Sequence, residues 1–408
     1  MNILVLNAGS SSQKSCLYQL SQNALPEEPV TPLWEAHIDW TRATGQGILQ
    51  VKANGKKRTT ELDAQDPHQG IIQMLNTLVQ GDTQVLDQLP EIDMVGHRVV
   101  HGGTDYSQAT LVTPDVKAAI ARLSALAPAH NPANLEGIEA IEQILGDVPQ
   151  VAVFDTAFHS QMPPSAAVYP IPYAWFEQGI RRYGFHGISH QYCAQRAAQL
   201  LDRPLDALKL ITCHLGNGCS LAAIQAGISV DTTMGFTPLE GLMMGSRSGS
   251  IDPAILIHLM RSHQLDADQI DAMLNQQSGL KGISGLSADM RTILTAAQAG
   301  NQPAQLALDL YIHRLRASIG AMLATLGGLD ALVFTAGVGE NASTVRERAC
   351  MGFDFLGLQL DLEKNASTPV DQDIATVNSA VRVLVIHTQE DWAIAQKCWQ
   401  SLKDLEFQ

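Results

Sequence analysis

Apolar positions along the chain fall into two kinds of run. Short β-type runs (Ile3–Leu6, Met94–Val100, Val151–Phe154, Leu210–Cys213, Leu332–Thr335 and Val381–Ile386) alternate with longer segments of helical period (Asp115–Leu126, Leu135–Leu145, Gln191–Leu200, Pro253–Met260, Pro303–Leu326 and Asp391–Leu402). In the longest, Leu308, Ile312, Leu315, Ile319, Met322 and Leu326 recur at steps of three and four. That spacing predicts one buried helical face. Asp309, His313, Arg314 and Arg316 interrupt it, so it does not read as a membrane span. The alternation as a whole predicts an α/β protein with mixed sheets. The segment from Glu35 to Asp66 breaks the pattern. It is polar, carries Gly45, Gly47, Gly55 and a Lys56-Lys57-Arg58 cluster, and reads as an irregular surface excursion.

Two segments resemble each other. Leu4-Val-Leu-Asn7-Ala-Gly9-Ser10-Ser-Ser12 leads into Lys14-Ser-Cys16-Leu-Tyr, and Ile211-Thr-Cys-His214-Leu-Gly216-Asn217-Gly218-Cys219-Ser220 leads into Leu221-Ala-Ala-Ile. Each predicts an apolar strand, a tight turn of small residues and a returning strand, with backbone donors crowded at the turn. A repeated hairpin is what a duplicated domain leaves behind, although Gly/Ser turns after strands are also common. A length of 408 residues leaves room for two or three domains.

Charge narrows the chemistry. With 26 Lys+Arg against 41 Asp+Glu the net charge is −15, which argues against nonspecific nucleic-acid binding. Anions must then be met by a few placed cations and backbone N–H groups. The N-terminus lacks the basic region of a signal peptide. The six cysteines show no CxxC or zinc spacing and read as free thiols of a reducing, cytoplasmic compartment.

Several motifs could handle anions. The Asn7–Ser12 turn with Lys14, and the His214–Gly218 turn, each offer donors to phosphate oxygens or form ordinary polar hairpins. Gly96-His97-Arg98-Val-Val-His101-Gly-Gly103 places Arg98 at a strand end, where it can clamp an anion. Its two histidines lie on a strand with no third partner in view, a weak case for metal. Gly241-Leu-Met-Met-Gly245-Ser-Arg247-Ser-Gly249-Ser-Ile-Asp252-Pro253 holds one arginine among glycines before a helix start, with Asp252 at the cap. Asp155 ends a strand. There is no Walker A pattern. A GxGxxA match at Gly337–Ala342, with Asp361 at the expected distance, suggests a dinucleotide site only weakly, because no convincing parallel βαβ unit stands behind it.

Taken together these runs closely resemble the acetokinase family. The matching text is Asn7-Ala-Gly-Ser-Ser-Ser12, Gly96–Gly103, His130-Asn-Pro132, Phe154-Asp-Thr-Ala-Phe-His159, Ile180-Arg-Arg-Tyr-Gly-Phe-His-Gly187, His214–Gly218, Met234–Gly245, Phe334–Asn341 and Glu390, in family order over nearly the whole chain. The resemblance implies two duplicated domains of the ribonuclease-H-like/actin-like type shared with sugar kinases and chaperone ATPases. It implies a cleft between them and a homodimer. One domain would comprise residues 1–155 and 391–408, the other residues 156–390. The implied reaction is reversible phosphoryl transfer from ATP to acetate, giving acetyl phosphate and ADP, with Mg2+ (or Mn2+).

Carried over by motif, Asn7 and Glu390 would hold the metal. Lys14, His214, Leu215, Gly216, Asn217, Gly218, Asp289, Met290, Arg291, Gly337, Val338, Gly339, Glu340 and Asn341 would bind ATP. Arg98 and Arg247 would clamp acetate and the moving phosphoryl group, His186 would stabilise the transition state and His130 would line the site. Asp155 would be the catalytic aspartate, expected here to orient Arg98 or metal-bound water, since acetate is already ionised and needs no base. Val100, Ala129, Phe185 and Pro238 would surround the acetate methyl.

Three positions depart from the family pattern. Gln13-Lys14-Ser15 replaces the usual Leu-Lys-Phe, Ser250 stands where an Asp is usual, and Ala129 replaces a usual Leu. The last should enlarge the methyl pocket, where one methylene is worth about 1–3 kcal/mol, and favour propionate. A kinase for propionate or butyrate, a pyrophosphate-linked acetokinase and a non-enzymatic actin-like ATPase module are the rival readings. The two arginines argue against the last.

Overall fold

A computed structural model describes residues 1–9, 12–43, 46–63, 66–128 and 130–406. The chain divides into two compact units, Met1–Ala157 with Gln389–Gln408, and Phe158–Thr388.

The first unit carries an eight-stranded sheet built from β1 (Asn2–Ala8), β2 (Ser12–Gln19), β3 (Trp34–Ala43), β4 (Gln46–Ala53), β5 (Lys56–Asp63), β6 (Met94–Val99), β7 (Thr110–Leu111) and β8 (Gln150–Phe154). Its strand order is β5-β4-β3-β2-β1-β6-β8-β7. The second unit has six strands, β9 (Lys209–Leu215), β10 (Cys219–Gln225), β11 (Ile228–Thr232), β12 (Ala331–Thr335), β13 (Gln372–Asp373) and β14 (Arg382–Val385), ordered β11-β10-β9-β12-β14-β13.

The two sheets share one plan. Each opens with three sequential antiparallel strands, β1-β2-β3 and β9-β10-β11. The first strand of each then takes a parallel partner, β6 or β12, which takes another, β8 or β14. The repeated hairpin read in the sequence is the start of this repeated plan.

Two expectations are corrected. The Glu35–Asp66 segment is not an irregular excursion, because it forms β3, β4 and β5. Trp34, Ala36 and Ile38, then Leu49, Val51 and Ala53, alternate inward onto the core, while the Lys56-Lys57-Arg58 cluster lies exposed on the edge strand. Gly337–Ala342 does have parallel strands behind it, since β12 lies parallel to both β9 and β14. Asp361 is used as a helix cap, accepting from Lys364 N.

Leu4, Leu6, Leu17, Trp34, Ile38 and Leu49 pack with Met74, Leu75 and Ile141 of the Pro67–Val79 and Asn131–Leu145 helices. The last helix, Glu390–Glu406, returns to β1 and β6. Gly96 makes that return possible. A Cβ there would sit 2.5 Å from Cys398 Sγ and 2.6 Å from Ile394 Cγ2. In the second unit the pleat separates two faces. Thr212, His214 and Ser220 meet residues at or near the Gly187–Leu200 helix, whereas Cys219 meets Tyr311 of the Gln302–Leu326 helix. That long helix buries the face that its spacing predicts.

Candidate active site

In the first unit, charged groups gather at the ends of β1, β6 and β8. Arg98 donates through Nε (3.1 Å) and Nη2 (2.6 Å) to the same oxygen, Oδ2 of Asp155. Asp155 is almost fully buried and Arg98 largely so. Arg98 Nη1 also donates to Asn7 Oδ1 at 3.3 Å. Asn7 Nδ2 in turn donates to Asp391 Oδ1 (2.8 Å) and Glu390 Oε2 (3.3 Å). Burial presses against the Arg98 charge, but Asp155, Glu390 and Asp391 outweigh it and hold its pKa above the ordinary arginine value. Burial, with Glu390 alongside, raises the Asp391 carboxyl above the usual carboxylate range.

The backbone after Arg98 is pinned from one helix end. Asn134 Oδ1 accepts from Val100 N, Asn131 Oδ1 accepts from His101 N, and Asn131 Nδ2 returns a bond to His101 O. This is the structural use of the His130-Asn131-Pro132 motif. His130 precedes the helix as its cap residue but makes no side-chain cap bond. Among the described residues His97 and His101 gather no metal-binding cluster. His97 Nε2 lies 2.7 Å from Gln150 Oε1, and His101 Nδ1 accepts from Gly103 N.

Lys14 is exposed and pairs across the hairpin with Asn7, so it stands with the first unit's charges. The other residues assigned to the nucleotide lie in the second unit. The unusual Gln13 and Ser15 flanking Lys14 are buried and hydrogen-bond each other at 3.3 Å.

The second unit holds a cavity of about 780 Å3. It is lined by Gly216 and Asn217, by Ser287, Ala288, Asp289, Met290, Arg291 and Leu294, and by Gly337, Val338, Asn341 and Ala342. That volume suits a nucleoside-sized ligand. The glycines let a flat ligand approach the backbone. Asp289 caps its helix through Arg291 N and pairs with the Arg291 side chain at 2.5 Å. Leu215 is fully buried, and Glu340 braces the turn. The Glu340 carboxylate accepts from Ala336 N and Thr388 N and lies 2.6 Å from His387 Nδ1. Burial works against its charge, but His387 and these N–H groups hold its pKa below the usual value.

Arg247 is mostly buried, and its Nη1 donates to Pro238 O at 3.1 Å. Burial lowers its pKa. The loop around it is knitted by Ser250, whose N donates to Gly241 O and whose Oγ accepts from Gly241 N. The position without the usual carboxylate therefore closes the loop with a hydroxyl. Asp252 caps the following helix, as its sequence signature predicts.

His186 sits in the left-handed region (φ 57°) and stacks on His214 at 4.2 Å between ring centroids. A Cβ on Gly218 would stand 3.5 Å from Arg247 Nη1 and from His186 Nε2, so both groups border that spot. Phe185 is fully buried in the second unit and Val100 is buried in the first. Position 129, the altered pocket residue, lies outside the described residues. Asp391 escaped the sequence reading, as did the hydroxyls of Thr212 and Ser220. Adjacency to Glu390 is the one signal that points to Asp391, and Thr212 and Ser220 carry none.

The model of the acetokinase family matches residues 2–396. The acetate kinase of Rippkaea orientalis is 70% identical over 398 residues, 98% of each chain. The crystal structure of Porphyromonas gingivalis acetate kinase superposes with a TM-score of 0.90 at 40% identity, covering 98% of this chain and 99% of that one. A propionate kinase from Francisella tularensis gives 0.89 at 39% identity with the same coverage.

Proposed function

Since the chain belongs to the acetokinase family and is a carboxyl-group phosphotransferase, we propose that it moves the γ-phosphoryl group of ATP directly onto the carboxylate of acetate, reversibly, giving acetyl phosphate and ADP. The observation that carries this reading is the Arg98–Asp155 pair beside Asn7 and Glu390. Acetate is an anion at neutral pH and needs no base. The obstacle is its approach to a polyanion, so positioning and charge must supply most of the catalysis. Asp155 has its oxygen on two nitrogens of Arg98, which makes it a positioning residue for that guanidinium. Arg98 meets the acid and the moving phosphoryl group. In the second unit, Arg247 and His186 offer donors to an anionic oxygen beside Gly218. The cavity from Gly216 to Ala342 takes the nucleotide.

Asn7 Oδ1 and the Glu390 carboxylate are hard oxygen donors, and a site with one or two carboxylates suits Mg2+ that also binds phosphate. Asn7 and Glu390 would hold it, with Asp391 fixing the Asn7 amide. When bound, the ion neutralises phosphate charge.

The helix Pro253–His263 has no buried residue, yet carries Ile255, Ile257 and Met260 about half exposed. Such a face calls for a cover, and a second copy of the chain supplies it in our reading. Sedimentation of the wild type and of Ile257→Glu tests this, with dimer expected for the first and monomer for the second. All six cysteines are buried and none is in a disulfide, which suits the cytoplasm. No described helix is long and apolar enough to cross a membrane.

The test of function is ADP formation from MgATP with acetate, propionate and butyrate, the acyl phosphate being trapped by hydroxylamine. Hydroxamate from acetate is expected. Nucleotide hydrolysis indifferent to every acid would overturn the reading in favour of an ATPase module. The same assay tests Ala129: propionate should run at a kcat/KM close to that of acetate, and Ala129→Leu should depress propionate by about tenfold. A propionate ratio far below one discards the enlarged pocket.

A further inference from the structure

Behind His186 lies a chain of hydrogen bonds that the reaction itself does not use. Ser220 Oγ sits between two rings, 2.8 Å from His186 Nδ1 and 2.8 Å from His190 Nε2. The far nitrogen of His190, Nδ1, is 2.7 Å from Thr212 Oγ1. His190, Ser220 and Thr212 are completely buried. Burial, with His159 and His214 adding to it, holds the His190 pKa well below the ordinary value, so the ring stays neutral and carries one proton.

The proton positions follow by accounting. A hydroxyl has one proton to give. Among the described residues, the Thr212 hydroxyl has His190 Nδ1 as its hydrogen-bond partner, and an undonated buried hydroxyl proton is costly. Thr212 therefore donates to Nδ1, and the single proton of His190 sits on Nε2. Nε2–H donates to Ser220 Oγ. Ser220 then spends its own proton on His186 Nδ1. A neutral His186 that accepts at Nδ1 must carry its proton at Nε2, the atom that borders Gly218 together with Arg247 Nη1.

We infer that Thr212, Ser220 and His190 form a tautomer relay that presents His186 to its ligand as an Nε2–H donor rather than as a lone pair. With the opposite tautomer, the Nε2 lone pair would face the phosphoryl oxygens and repel them. These three are positioning residues, because none of them needs to touch substrate. The inference rests on the role given to His186 above, and it adds what sets that ring's state.

The experiment is a crossed pair at one position. Thr212→Val keeps the shape and deletes the hydroxyl. Thr212→Ser keeps the hydroxyl and deletes a methyl. The relay expects Thr212→Val to lose about tenfold in kcat with both KM values near wild type, and Thr212→Ser to retain activity. A packing role expects the reverse order, and that result overturns the relay. Ser220→Ala, which cuts the chain at its middle, should match Thr212→Val, and wild-type rates from it also overturn the relay. The second readout needs no turnover. In 15N-histidine-labelled wild type, His186 should show a protonated Nε2 and a bare Nδ1, and Thr212→Val should mix the two tautomers. A His186 protonated at Nδ1 in the neutral wild-type ring overturns the proposal even if the enzyme is active. A wild type without acyl phosphate formation refutes the functional reading alone, leaving the spectrum to judge the relay.

Discussion

The two units each hold one largely buried arginine, and they treat it in opposite ways. Arg98 is held by a carboxylate at 2.6 Å and its charge is strengthened. Arg247 leans on the Pro238 carbonyl, pairs with no carboxylate among the described residues, and has its charge weakened by burial. The first is preorganised and electrically satisfied before any ligand arrives. The second is a largely buried cation that a bound anion would satisfy, as the proposed reaction expects. A site made only of satisfied charges would hold phosphate weakly, and one made only of unsatisfied charges would fold poorly. This chain puts one of each kind in separate units.

The sharpest way to break the comparison is to remove the satisfaction. Asp155→Asn keeps the shape beside Arg98 and deletes the charge. Loss of about 10²–10³ in kcat is expected, with KM for ATP unchanged, in steady-state assays. An unchanged rate would show that Arg98 needs no orientation.

Next comes stability. Arg98→Met leaves Asp155 buried without its partner and should cost about 3 kcal/mol in denaturant unfolding. Arg247→Met removes an unpaired buried cation and should be neutral or stabilising in the ligand-free protein, although it too abolishes turnover. If both variants lose stability alike, the contrast between the arginines fails.

A smaller effect sharpens the second unit alone. A Cβ at Gly245 would come within 2.3 Å of Asn217 Oδ1 and 3.0 Å of Ala288 O, two walls of the cavity. Gly245→Ala should raise KM for ATP by about tenfold while KM for acetate holds, the size of a lost hydrogen bond.

A last effect, read in stability alone, is common to both units. An unfolded histidine protonates near pH 6.5, whereas burial pushes His97, His101 and His159 down to about 4. Between those values the unfolded chain binds more protons, so stability is full above 6.5 and falls as the pH drops toward 4. Thermal unfolding across this window should show the decline. His97→Gln, which keeps a donor for Gln150, should flatten it.

How much of this was legible follows from range. The strands of the parallel core were read because each is a continuous apolar run, as in Leu332–Thr335. β3 to β5 were missed because Glu35, His37 and Asp39 alternate with Trp34, Ala36 and Ile38. A half-polar strand of this kind, set beside glycines, mimics a loop. The cavity glycines advertise themselves. The pairing of Asn7 with Glu390, separated by 383 positions, has no local signature and came only from the family resemblance. Thr212 and Ser220 stayed invisible because a hydroxyl on a strand looks the same whether it fills space or directs a proton. The tautomer of His186 is a property of the assembled sheet.

The Glu390–Glu406 helix has a consequence in time as well as in space. It supplies Glu390 and Asp391 to a unit whose other residues, Asn7, Arg98 and Asp155, were made near the beginning of synthesis. On the ribosome the second unit is therefore complete before the first can be. Domains tend to fold as they emerge, but here the earlier one must wait for the Glu390–Glu406 helix to pack on its sheet at Gly96. A chain released before that helix would carry a folded second unit and an unfinished first one, so that making the Glu390–Glu406 helix becomes a built-in requirement for completing the first unit.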